Sequence, residues 1–164
     1  GLLLLVGWGR RLIVTVTAFT VGHSVTLAMV TLGVFGYPVS VVEFLIALSI
    51  YVLAVELARE DGGGALWRQP WWLAGVFGLL HGMGFAGALA ETGLPQSNVP
   101  IALLFFNIGI ELGQLVFIAL LVAVAALGRA FIGPQAVRLR PVPVYLLGGL
   151  SAMWCVERGL EVLV

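Results

Sequence analysis

The sequence contains no lysine, a single cysteine and few charges of either sign. Charged residues make up 10% of the 164 residues, against roughly 25% in an ordinary soluble domain. Its basic residues are all arginines and form no dense tract, which excludes a nucleic acid as partner. Cys155 alone cannot close an intrachain disulfide, and no Cys-x-x-Cys pair is present to bind zinc or to carry out redox chemistry.

The chain is rich in hydrophobic residues and contains several long apolar runs. Hydrophobic residues make up 61% of it and the mean hydropathy is +1.12, more than a water-soluble core can bury. A helix needs roughly 20 apolar residues to cross the hydrocarbon layer of a membrane. Runs of that length occur at residues 12–35, 38–58, 71–91, 99–127 and 141–164. We therefore predict an all-α, polytopic transmembrane bundle of about five membrane-spanning helices, forming a single domain over residues 1–164.

Two segments do not fit one bilayer crossing. The fourth run, 99–127, is longer than the hydrocarbon layer is thick, so it must tilt, project into water or break near Gly109 and Gly113. Residues 1–9 begin with an apolar run and reach Arg10, which is typical of the end of a longer helix. We expect these residues to be the tail of an upstream helix.

The arginines predict the orientation of the bundle. With five spans, seven of the eight arginines fall on the side of the N-terminus, and only Arg158 falls on the other. Because arginine-rich loops stay in the cytoplasm, we expect a multi-pass protein of the bacterial inner membrane with its arginine-rich loops cytoplasmic and its apolar helices in contact with lipid.

A faint internal repeat relates the first and third runs. AFTVGHSVTLA at residues 18–28 aligns with VFGLLHGMGFA at residues 76–86, matching His23 with His81. Each segment is followed by a helix that carries a glutamate. Because the two hairpins are offset by an even number of crossings, they would be parallel repeats around one axis.

Three ionisable residues lie deep in the predicted spans. His23, His81 and Glu111 each lie about ten to twelve residues into their runs, near the bilayer midplane, and Glu43 is shallower, toward the outer side. A charged side chain at the midplane costs about 2.5–3.5 kcal/mol on insertion scales. Such groups normally face the bundle interior and mark ion paths, so we expect these four residues to bind a metal ion.

Polar neighbours extend this set. Asn107 and Gln114 share one helical face with Glu111, while Thr20 and Ser24 lie beside His23; we expect these four residues to orient the ligands. Imidazole with carboxylate suits first-row divalent ions such as nickel, cobalt, zinc or iron. Glycines around His81 (Gly78, Gly82) and around Glu111 (Gly109, Gly113) would let other helices approach closely.

Four strings together resemble the HupE/UreJ family of membrane proteins associated with hydrogenase and urease systems. They are TAFTVGHSVTLA (17–28), VEFLIALSI (42–50), FGLLHGMGFA (77–86) and FNIGIELGQ (106–114). The family is regarded as nickel or cobalt permeases or metal-handling accessory proteins. The resemblance therefore implies transition-metal transport through His23, Glu43, His81 and Glu111, with Asn107 and Gln114. The resemblance also implies a preceding helix with a histidine and an Asp-His pair, and residues 1–9 would be the tail of that helix.

Other interpretations remain open at this point. Each histidine could simply make a hydrogen bond between helices, Glu43 could cap or snorkel from the interface, and Asn107 and Gln114 could join helices. A metal-dependent intramembrane hydrolase with Glu111 as general base is the enzymatic alternative, although no local signature of a zincin, serine hydrolase or NTPase is present and no catalytic residue is assigned. A non-catalytic subunit of a larger membrane complex, or a homo-oligomer, is the third.

Overall fold

A computed structural model of the chain describes residues 6, 9–59, 69–92, 98–132 and 141–163. These residues form five helices and no strand: α1 (Arg10–Thr31), α2 (Val39–Ala58), α3 (Pro70–Thr92), α4 (Val99–Ile132) and α5 (Pro141–Leu163). The all-α prediction is confirmed, and the helix ends lie within five residues of those predicted. Most of the predicted helix tail at residues 1–9 lies outside the described residues.

Local sequence explains where the helices begin and end. Proline precedes α2 and begins both α3 and α5, where its missing N–H costs nothing. α1 stops four residues before the end of its apolar run because Gly33 adopts a φ of 72°. The N–H groups of Gly33 and Val34 return to the carbonyls of Val30 and Met29 (2.9 Å each), which completes a Schellman motif.

Helices α1 and α3 are parallel and in close contact. The backbone carbonyls of Phe19 and His23 lie where a side chain on Gly78 or Gly82 would be. Thr26 Oγ1 also donates a hydrogen bond of 2.6 Å to the carbonyl of Leu79. Because the contacting residues follow the same order along both helices, the first helices of the two hairpins are parallel neighbours, as the repeat predicts.

The remaining helices extend this pair into a row. α4 packs against α1, α2 packs against α3, and α5 packs against α2, which gives the order α4–α1–α3–α2–α5. The α2–α5 contact also has glycines at the interface. A Cβ built on Gly148 would lie 3.5 Å from the side chain of Ala54, and one built on Gly159 would lie 3.4 Å from the ring of Phe44. The central helices α1 and α3 therefore carry both histidines between the outer helices.

Within the residues that the structure describes, three helices are long and apolar enough to cross a membrane: α1, α2 and the Val99–Gly128 part of α4. The most apolar stretch of α4 buries none of its residues against the described part of the protein, which fits a helix in contact with lipid. α4 runs unbroken for 34 residues, about 51 Å at 1.5 Å per residue. The predicted alternative of a break near Gly109 and Gly113 is therefore wrong, and tilt or projection into water remains.

Tyr37 ties the α1–α2 connection to α3. Its hydroxyl donates to the carbonyl of Met83 and receives a hydrogen bond from the backbone N–H of Gly87. Met83 and Gly87 are four residues apart, so the hydroxyl lies beside one hydrogen bond of the helix. Burial raises the pKa of Tyr37 above its ordinary value of 10.0, and Glu43 raises it further, so the hydroxyl remains a donor at neutral pH.

We expect Tyr37→Phe to lower the free energy of unfolding by about 1 kcal/mol, because the ring stays and only the hydrogen bonds are lost. Thermal unfolding in detergent measures the change. Tyr145→Phe is the control, since Tyr145 on α5 is 73% exposed and its variant should stay within about 0.5 kcal/mol of the parent. Equal effects of the two variants would contradict a role for the Tyr37 hydroxyl.

Candidate metal centre

His23 is a buried imidazole without a hydrogen bond. It is 2% exposed, and neither Nδ1 nor Nε2 has a partner among the described residues. Its ring lies instead against those of Phe19 and Phe85, with centroids 6.1 and 5.3 Å away. A neutral imidazole always has one nitrogen that donates and one that accepts. Leaving such buried groups unpaired costs about 1–3 kcal/mol each, so an unsatisfied pair in a folded protein requires an explanation.

His81 faces the same position from α3. The edge of its ring meets the Phe19 ring at a centroid distance of 5.4 Å, and its Nε2 is 3.2 Å from the Ser49 hydroxyl of α2. Its Nδ1 has no hydrogen-bond partner in the described part of the chain. Phe19 thus contacts both imidazoles, and the structure brings His23 and His81 together at one level of the α1–α3 interface.

The predicted polar face of α4 turns toward α1. Thr20 Oγ1 lies 3.4 Å from Gln114 Oε1, and Asn107 Nδ2 donates to the carbonyl of Leu103 at 3.0 Å. The Asn107 Oδ1 atom is buried without a partner among the described residues. Leu27, further along α1 than Thr20, packs in one cluster with Leu103, which comes before Gln114 on α4. The contacts therefore run in opposite order along the two helices, and α1 and α4 are antiparallel.

This register places the turns of Asn107 and Glu111 level with His23. Glu111 is partly buried and forms no hydrogen bond or ion pair within the residues that the structure describes. Ser24, in contrast, donates to the Thr20 carbonyl at 2.7 Å and is satisfied by its own helix. Within the described residues, Glu111 is therefore the carboxylate at the level of His23 that is free to bind an ion.

Among the described residues, no other helix packs against the two glycines beside Glu111. No atom lies within 4 Å of a Cβ built on Gly109 or Gly113 among the described residues, so the predicted close approach there is wrong. The reason is helical geometry: residues two positions apart point to opposite sides. The side of α4 that carries Glu111 faces α1, and the side that carries the glycines faces away.

Glu43 is engaged by a partner that the sequence does not reveal. Arg158 on α5 lies 3.2 Å from the Glu43 carboxylate and 2.8 Å from that of Glu161. The only sequence signal was that Arg158 is the single arginine expected on the outer side.

Sequence reasoning also missed Ser49, Phe19 and Phe85 as neighbours of the imidazoles. Among the described residues, no group of three His, Cys, Asp or Glu side chains is close enough together to hold a metal ion. The arrangement consists of two neighbouring imidazoles with a carboxylate on the adjoining helix. Protein zinc sites generally use three or four protein ligands, so two imidazoles alone would bind a divalent cation weakly.

A comparison with protein families relates this arrangement to known proteins. The model of the family described as HupE / UreJ protein matches residues 1–158, which includes all four motifs and most of α5. Comparison with curated proteins and with solved structures finds no match. The family resemblance inferred from the motifs is thereby confirmed and extends over most of the chain.

Proposed function

This chain belongs to the HupE/UreJ family, and we propose on that premise that it is a permease, or metal-handling accessory protein, for a divalent transition metal. The family is associated with nickel and cobalt handling in hydrogenase and urease systems. The cation is the cargo of the protein and not a resident cofactor. One observation carries the proposal: within the described residues neither ring nitrogen of the buried His23 has a hydrogen-bond partner, so the nitrogen without a hydrogen has a lone pair available to a passing cation.

The proposed site uses His23, His81 and Glu111 as ligands. Nickel, cobalt and zinc favour imidazole nitrogen, and a carboxylate compensates part of their charge. Asn107 and Gln114 of α4, with Thr20 of α1, orient these groups, whereas Ser24 bonds its own helix and takes no part. Asn107 Oδ1 supports this role, because it has no partner in the described part of the chain and offers an acceptor at the same level.

Weak binding suits transport better than storage. A conducting site must bind its cation strongly enough to admit it and weakly enough to release it. Two imidazoles with a carboxylate on a neighbouring helix meet this requirement if α4 moves toward α1 when the cation arrives. The parallel helices α1 and α3 belong to different hairpins, α1–α2 and α3–α4, and the two hairpins can rock against each other at the interface between these helices.

The entrance and sidedness belong to the same proposal. Arg10 and Arg59 lie at the ends of α1 and α2 opposite to Glu43, which fits a cytoplasmic location for that side of the inner membrane. Glu43 then lies toward the outer mouth. Arg158 is its counter-charge, and an entering cation would replace it.

Cobalt binding tests the proposal, because Co²⁺ coordination by imidazole gives visible absorption bands. The purified protein in detergent is titrated with Co²⁺, and Ni²⁺ competition is followed. We expect saturable binding that Glu111→Gln and His81→Ala each weaken at least about tenfold, since each removes one ligand. Glu157→Gln, an exposed residue of α5, is the control and should leave the affinity unchanged. Absence of saturable binding at millimolar metal would refute the proposal.

A further inference from the structure

Ser49 has one proton and two neighbours that compete for it. Its Oγ lies 2.7 Å from the carbonyl oxygen of Ile46 and 3.2 Å from Nε2 of His81, and the residue is 6% exposed. A carbonyl oxygen can only accept, so the shorter contact is the donation from the Ser49 hydroxyl. The Oγ atom is then left with lone pairs only, and a hydrogen bond to His81 requires the hydrogen to be on Nε2.

We infer that Ser49 is a positioning residue that fixes His81 as the neutral tautomer protonated on Nε2. This inference rests on the proposed function, in which His81 binds the cation. A nitrogen that carries a hydrogen has no lone pair for a metal, so Nδ1 is the coordinating atom of His81. Nδ1 has no hydrogen-bond partner among the described residues, which keeps its lone pair free.

Two contacts from different helices, α1 and α2, hold the ring in this orientation. Phe19 lies against it at an interplanar angle of 66°, and Ser49 holds the Nε2 edge. His23 has no corresponding hydrogen-bond acceptor within the described residues. The two histidines therefore differ in role: His81 presents one fixed nitrogen, while the tautomer of His23 is free to follow the cation.

The tautomer can be observed directly in metal-free protein. ¹⁵N NMR of histidine-labelled protein distinguishes an imidazole protonated on Nε2 from one protonated on Nδ1. We expect the His81 signal of the parent to show the Nε2–H form, Ser49→Ala to show a mixture, and Ser49→Thr to restore the parent form. We expect Co²⁺ affinity to fall about tenfold or more in Ser49→Ala and to recover in Ser49→Thr, the range observed when the hydrogen-bond partner of a metal ligand is removed.

Ser151→Ala is the matched control. Ser151 on α5 is 2% exposed and donates to the carbonyl of Leu147 at 2.7 Å, as Ser49 does to its own helix, but no histidine is bonded to it. This variant should change neither the His81 signal nor the affinity for Co²⁺.

The outcomes separate the two proposals. An Nδ1–H signal in the parent, or an unchanged signal in Ser49→Ala, overturns the role of Ser49 whether or not the protein binds metal. The expected tautomer signals without Co²⁺ binding in any variant would support the hydrogen-bond assignment and refute the proposed function. The expected signals with the expected loss of affinity support both.

Discussion

Replacing Gly78 with alanine is expected to lower the free energy of unfolding by about 3 kcal/mol, the upper end of the usual effect of overpacking. The added methyl group would overlap the backbone carbonyl of Phe19 on α1. A backbone atom cannot rotate away as a side chain can, so α1 and α3 must separate or bend. Separation would also weaken the hydrogen bond between Thr26 and Leu79 and move His81 away from Phe19.

The measurement is a detergent-unfolding titration followed by circular dichroism, with Gly109→Ala as the matched control. Gly109 is also a helical glycine, but no described atom lies within 4 Å of its built Cβ. Since alanine is a better helix former, this variant should be unchanged or up to about 1 kcal/mol more stable. A similar response of the two variants would contradict the close approach of α1 and α3.

The sequence predicts the helices well because a bilayer imposes their length. The runs that begin at residues 99 and 141 start where α4 and α5 do. The ends are less predictable because they depend on local backbone geometry: α1 stops at the Schellman motif of Gly33, and α4 continues five residues past its predicted end. Hydropathy alone predicts neither the early end of α1 nor the extension of α4.

The lateral order of the helices is only partly encoded in local patterns. The glycines around His81 predict a close neighbour, and the structure confirms it at Gly78 and Gly82. The pattern cannot say which helix that neighbour is. Nor does it predict that α5 packs against α2, because this depends on matching surfaces more than 80 residues apart in the sequence.

In the candidate site, too, the sequence predicts which residues are candidates but not which residues they contact. The cost of placing an imidazole or a carboxylate in a membrane identifies His23, His81 and Glu111 from the sequence alone. The partners of these residues depend on tertiary structure, and Arg158 reaches Glu43 across 115 residues of sequence. Ser49 was missed because one hydroxyl in an apolar helix normally bonds its own backbone, which it also does here.

His23→Leu is expected to make the metal-free protein more stable and unable to bind its cation tightly. Leucine fills the space between Phe19 and Phe85 without bringing buried nitrogens that lack partners. Removing such groups should raise the free energy of unfolding by about 1–2 kcal/mol. Because one of these nitrogens is a proposed ligand, Co²⁺ affinity should fall about 100-fold, the upper end of the effect of disturbing a metal site.

His81→Leu separates this explanation from a general effect of removing an imidazole. His81 is hydrogen-bonded to Ser49, so its replacement loses an existing bond and should not stabilise the protein. Opposite signs for the two variants in metal-free unfolding would mean that His23 retains its imidazole at a cost to the fold. If both variants destabilise the protein equally, His23 is satisfied by some other group in the membrane, and the main support for a cation at this position is lost.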